Sequence, residues 1–331
     1  PLLAVFSVTY MITAFLGILR SLPGKLSRFE LTLPTINVTW AFLLAQYVVS
    51  AMGGSTVLLG SAGVIGGAGH LTVAHWLAVR DPQGARGANA FFFAGAVLLA
   101  LALPIATGST YLSLLVLAAV ALGAAVMSVT WHSGSIRLTS YLLQIYTAAA
   151  LVVALLGQEA ATSFWVRTLS AGGIAGMGFA HFIWCRNRKP PEESAFFLRI
   201  DKDDRSAVLV LLAALTSAFF MVQVIVHRLL SATLASADLN NALHCSRSVI
   251  INLSAIILIV IALVRRNREL RNTAILVTAI GAVNVFLYDL IRAHGIPLVI
   301  SVLSFGLATA VESVILGRWQ RRSPPMQGDG E

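Results

Sequence analysis

Arg186 to Arg205, RNRKPPEESAFFLRIDKDDR, is the one long polar interval in an otherwise apolar chain. It holds six of the 23 Lys and Arg residues, and Pro190 and Pro191 interrupt any helix that would run through it. A basic, proline-broken interval between apolar runs reads as a solvated loop between two groups of membrane helices. Because Lys and Arg collect in cytoplasmic loops, this loop is placed on the cytoplasmic side.

The apolar runs on either side set the class. Over 331 residues the chain is 57% hydrophobic and 11% charged, with a mean hydropathy of +0.84. Soluble domains carry about 25% charged residues. The composition therefore describes an integral membrane protein whose first partner is the lipid bilayer. The formal charge of +9 comes from short basic runs between apolar segments, a topological pattern, so no nucleic-acid partner is expected. Cys185 and Cys245 fall on opposite membrane faces, which argues against a disulfide, and no metal-ligand spacing occurs. The first apolar segment lacks a basic leader and an A-x-A-like site, so no cleavable signal is read there.

A membrane span needs about 20 apolar residues. That length divides the chain into about eleven helices, near residues 1–19, 37–56, 60–79, 89–107, 111–131, 138–156, 165–185, 206–226, 248–264, 273–291 and 297–317. The expected fold is thus all-α, a single transmembrane domain over 1–322. It comprises a seven-helix part (1–185), the loop 186–205 and a four-helix part (206–322), followed by a disordered tail at 323–331. The interval 37–79 counts as two spans only if Gly53, Gly54 and Ser55 break it.

Charge sorting supports that break. With eleven spans, one face receives Arg20, Lys25 and Arg28; Arg80 and Arg86; Arg137; the six of the long loop; Arg265, Arg266, Arg268 and Arg271; and Arg318, Arg321 and Arg322. Only Arg167, Arg228, Arg247 and Arg292 fall on the other. The expected topology is N-terminus out, C-terminus in. His227–Ser246 has apolar residues near helical spacing and reads as a short amphipathic helix on the outer surface. Phe196, Phe197, Leu198 and Ile200, interleaved with Arg199 and Lys202, suit the headgroup layer.

Candidate functional groups are few. Ionisable side chains at membrane depth are costly, so each is a candidate: His70 and His75 in the third span, Asp289 and Arg292 in the tenth, and Glu312 in the eleventh. His70 and His75 stand about 140° apart around a helix and do not share a ligand face. Asp289 and Arg292 are spaced for an i,i+3 ion pair, and Glu312 is placed to reach toward Arg318 or water. Gln144, with Gln46, Tyr47 and His70, would line a mid-bilayer cavity if the chain were a carrier. Gly63 and Gly67, and Gly172 and Gly176, have the four-residue spacing that lets helices approach closely, within the chain or across a dimer face. No nucleophile with its base, P-loop, paired-carboxylate site or H-E-x-x-H helix occurs, and no cofactor is expected.

Two stretches, SRSVIINLSAIILIVIALVRRNRELRNTAILVTAIGAVNVFLYDL (246–290) and ISVLSFGLATAVESVILGRWQRR (300–322), resemble the C-terminal region of a large family of bacterial polytopic inner-membrane proteins of unknown function. The matching positions are Ser248, the basic hinge Arg265, Arg266, Arg268, Leu270 and Arg271, the FLYDL sequence Phe286–Leu290, and Ser304, Phe305, Gly306 and Leu307. IRLTSYLLQIYTAA (136–149) is a weaker echo. The resemblance implies a multi-pass protein of the bacterial inner membrane and brings no activity or catalytic residues. Sparse intramembrane charge, small loops and glycine faces point first to a non-catalytic scaffold or accessory subunit binding other membrane subunits. A secondary carrier of an apolar or amphipathic solute is the alternative, and a membrane-surface enzyme the third reading.

Overall fold

The computed structural model describes residues 2–21, 28–80, 87–157, 162–191, 197 and 201–322. Among these the chain is all-α, with eleven helices and no strand. They are α1 (Leu2–Ser21), α2 (Arg28–Ala51), α3 (Thr56–Arg80), α4 (Ala88–Thr107), α5 (Thr110–Thr130), α6 (Gly134–Leu156) and α7 (Phe164–Asn187), then α8 (Ala207–Thr233), α9 (Ser236–Arg265), α10 (Arg268–Arg292, with a π-helical segment at Asn284–Asp289) and α11 (Gly295–Arg322). Nine of them, α2 to α6 and α8 to α11, are long and apolar enough to cross a membrane, and α1 adds a shorter apolar stretch at Val5–Arg20.

The boundaries follow local chemistry. Gly53, at φ +65°, turns the chain between α2 and α3, so residues 37–79 do form two helices. Ser109, Ser133 and Ser163 accept hydrogen bonds from the backbone N–H groups of Leu112, Ile136 and Val166, capping α5, α6 and α7. Asn267 caps α10 through Glu269 N and Leu270 N. His227–Ser246 is not a separate surface helix: it is the end of α8 and the start of α9, parted only at Leu234 and Ala235. The apolar periodicity read there belongs to two spanning helices that continue beyond the apolar core.

Two compact units divide within α8, one over residues 1–218 and the other over 219–331. In the first, α3 packs along α4, α2 on α4, and α5 on both α6 and α7. One core joins Ile18, Leu77, Phe91, Phe92 and Ile136, and a second joins Val38, Phe42, Leu98 and Ala102. The α3–α4 approach is close because glycines face it. A Cβ on Gly63 would lie 2.6 Å from the Ala102 Cβ and from Phe42, and one on Gly67 would lie 2.8 Å from Leu99. On α7 the near approaches fall at Gly173, against Leu115, and Gly178, against Ala214. Gly172 is half-buried, and Gly176 is exposed with nothing within 4 Å. In the second unit α9 packs against both α10 and α11. The tail 323–331 and residues 196 and 198–200 lie outside the described residues. Phe197 is buried, with its ring centre 6.5 Å from that of Tyr141 and the two rings nearly perpendicular.

Candidate functional site

The second unit buries a polar ladder between three apolar helices. Ser248 and Asn252, one turn apart on α9, are both fully buried. Asn284 donates to Ser248 Oγ (2.7 Å) and Asn252 to Ser304 Oγ (2.9 Å). Ser304 donates to the Ser301 carbonyl (2.7 Å), and the Ser301 hydroxyl donates to the Asp289 carboxylate. Further along, Thr278 Oγ1 donates to Glu312 Oε1 (2.7 Å). Each bond ties one helix to another or prepares a group that does, as expected where backbone groups are already satisfied and polar side chains find partners only across helices.

Backbone irregularity positions the ladder. The π-helical turn Asn284–Asp289 coincides with the FLYDL sequence, and such turns recur at functional sites. Its wider turn rotates Asp289 inward, where it is 1% exposed, and leaves Arg292 exposed. The i,i+3 ion pair read from sequence therefore does not form: Asp289 bonds to Ser301, and the Arg292 guanidinium lies 6.0 Å from the centre of the Tyr288 ring. Glu312 likewise turns to Thr278 on α10 and not to Arg318. Gly281 makes room for Asn252, since a Cβ there would sit 2.3 Å from Asn252 Oδ1, which has no hydrogen-bond partner. Two buried carboxylates thus stand in spanning helices with hydroxyl donors and no ion pair to a basic side chain among the described residues.

The first unit has a different buried cluster, at the end where α6 begins and α7 finishes. Arg137 was counted from sequence with the loop cations, but it is fully buried. Its Nε donates to Tyr141 Oη (2.8 Å), its Nη1 to the Lys189 carbonyl (3.3 Å), and its Nη2 to the carbonyls of Cys185 (2.7 Å) and Arg188 (3.0 Å) and to Asp204. Tyr141 donates to both Asp204 oxygens at 2.8 and 3.0 Å. Asp204 reaches inward because its backbone is left-handed, φ +55°, a conformation Asp tolerates better than most residues. Burial raises the Asp204 carboxyl above its ordinary value, and Arg137 and Tyr141 offset only part of that rise. Asp201 accepts from the backbone N–H groups of Arg205 (2.6 Å) and Ser206 (2.7 Å) at the start of α8. Burial alone would raise its carboxyl, but the bonds from Ser206 and Arg205 hold it below the ordinary range.

The remaining candidates are dispersed. His70 is buried and bonded through Nδ1 to the Gly66 carbonyl (2.8 Å), with its ring 6.0 Å from Phe91. His75 is exposed beside Trp131, 5.6 Å between ring centres. Gln144 is fully buried between α6 and α7, with Nε2 3.5 Å from the Ile174 carbonyl, while Tyr47 is 72% exposed. With His70 and Gln144 buried and Tyr47 exposed, these residues do not build the mid-bilayer cavity expected of a carrier. Arg137, Ser248, Asn252 and Ser301 were not singled out as site residues, and Asp204 belongs to the acidic group Asp201, Asp203 and Asp204, which the sequence alone reads as a salt-bridged solvated segment. The signal was available for the first four, since Arg137, Ser248, Asn252 and Ser301 lie in the stretches quoted for the family resemblance.

Comparison of the chain with family models, with curated proteins and with solved structures returned no match. Fold and composition define an integral, multi-pass membrane protein, with eleven helices among the described residues.

Proposed function

We propose that the chain is a secondary carrier of the bacterial inner membrane whose second unit binds a monovalent cation at Asp289 or at Glu312, and not in a cavity lined by Gln46, Tyr47, His70 and Gln144. The observation that carries this reading is the pair of buried carboxylates in spanning helices, each held by a hydroxyl and neither by a basic side chain among the described residues. An ionised carboxylate in such surroundings is costly unless a cation offsets its charge. Entry and release of a cation would alter the bonds to Ser301 and Thr278, and so couple occupancy to the packing of α10 against α11. The irregular turn at Asn284–Asp289 is the kind of helix break at which carriers place ion sites. Charge sorting favours a cytoplasmic C-terminus.

A scaffold or accessory subunit is the second reading, favoured by the short loops. Its other motive is weaker than it was in sequence, because Gly63 and Gly67 already face α4. The test is electrometry of the reconstituted protein on a supported membrane. A step in sodium or in potassium is expected to give a transient current in the wild type. Asp289→Asn/Glu312→Gln should lose it. A wild-type protein silent to both steps would remove the carrier reading and leave the scaffold.

A further inference from the structure

The end of the first unit that holds Arg137 opens into a cleft of ≈ 630 Å³. Its rim carries Arg186, Arg188, Lys189 and Lys202, and its wall carries Pro190, Pro191 and Phe197. The two acidic side chains on its lining are committed: Asp204 to Arg137, and Asp203 to Arg205 at 3.1 Å. Arg188, Lys189 and Lys202 are exposed and make no ion pair among the described residues. Arg137 does not face a ligand: it is fully buried, is not part of the cleft lining, and donates to five acceptors of the protein itself. What it does is fix the backbone on which the rim is mounted, by binding the carbonyls of Cys185, Arg188 and Lys189.

From this geometry we infer that the cleft binds a phosphate-bearing anion, and that its half-apolar wall suits the headgroup of an anionic phospholipid. Several cations converge on one concave surface, its own carboxylates are neutralised by other partners, and the backbone is held before any ligand arrives, which lowers the cost of binding. Basic clefts between helix ends at a membrane surface recognise phosphate in this way. The phosphate source is either a lipid or a soluble anion, and the chemistry at the rim is the same for both. This site is independent of Asp289 and Glu312.

The experiment uses the full chain, delipidated in an uncharged detergent and titrated with a short-chain phosphatidylglycerol, with short-chain phosphatidylcholine as the control. Saturable binding of phosphatidylglycerol alone is expected, weakening with added salt. Arg188→Gln/Lys189→Gln should weaken it on the order of 30-fold, the loss of two basic groups near a membrane surface. Arg265→Gln/Arg268→Gln removes two exposed charges from the α9–α10 turn and should change binding by less than about twofold. Competition by millimolar inorganic phosphate would support the site and assign it to a soluble anion, and its failure to compete would assign it to lipid. Equal weakening by both double variants would overturn the inference, as would a wild type that binds neither phosphatidylglycerol nor phosphate.

Discussion

Removing the Arg137 side chain as Arg137→Met should be among the most destabilising single changes in the first unit. It leaves the Asp204 carboxylate without its cation and takes a donor from the Tyr141 hydroxyl and from three backbone carbonyls, in a site where Arg137 is 0% and Asp204 2% exposed. Breaking a buried ion pair from one side costs about 3–5 kcal/mol, most of it the uncompensated charge. Arg137→Met/Asp204→Asn removes that charge while keeping a residue that tolerates the left-handed backbone and can still accept from Tyr141. The double variant should therefore recover about 2 kcal/mol relative to Arg137→Met. The assay is unfolding in mixed micelles by titration with SDS, read by tryptophan fluorescence, with all four members of the cycle measured together. A single variant within about 0.5 kcal/mol of wild type, or strictly additive losses, would refute the account.

Three further outcomes follow from other elements. Gly63→Ala should destabilise by about 1–3 kcal/mol through the clash with Ala102 and Phe42, whereas Gly176→Ala, in open space, should be neutral or gain up to about 1 kcal/mol in the same titration. Asp201→Ala should cost about 0.5–2 kcal/mol as a lost cap on α8. Because the Asp201 carboxyl lies below its ordinary value of 3.8, its contribution is complete above that pH and lost as pH falls through the lower folded value, so wild type and Asp201→Asn should converge in acid. Lys202→Cys, at an exposed position, should react with an impermeant maleimide only after cells are opened. Labelling of intact cells would invert the proposed topology.

The helices were legible because each apolar run is long enough to span and is bounded by Gly, Pro, Ser or basic residues. Even the short break at Gly53 could be read from charge sorting. The buried polar contacts were not, because they join residues far apart in the chain. Arg137 and Asp204 are 67 residues apart, and each has a bland local explanation, one as a loop cation and the other in an alternating acidic and basic run. Asp289 was singled out correctly as a polar group in a span but given the wrong partner, since the i,i+3 rule assumes α-helical turns and the chain adopts a π turn there. Glu312 was placed near the arginines that follow it on its own helix, but a hydroxyl on the neighbouring helix lies closer to hand.

Arg137 also bears on biosynthesis. Its carbonyl acceptor at Cys185 is translated 48 residues after it, and Asp204 67 residues after it. At about 5–20 residues per second, the guanidinium waits several seconds for its partners while the nascent chain is being inserted. Until the beginning of α8 has left the ribosome, Arg137 lacks its carboxylate partner and the ion pair that closes this end of the first unit is not made.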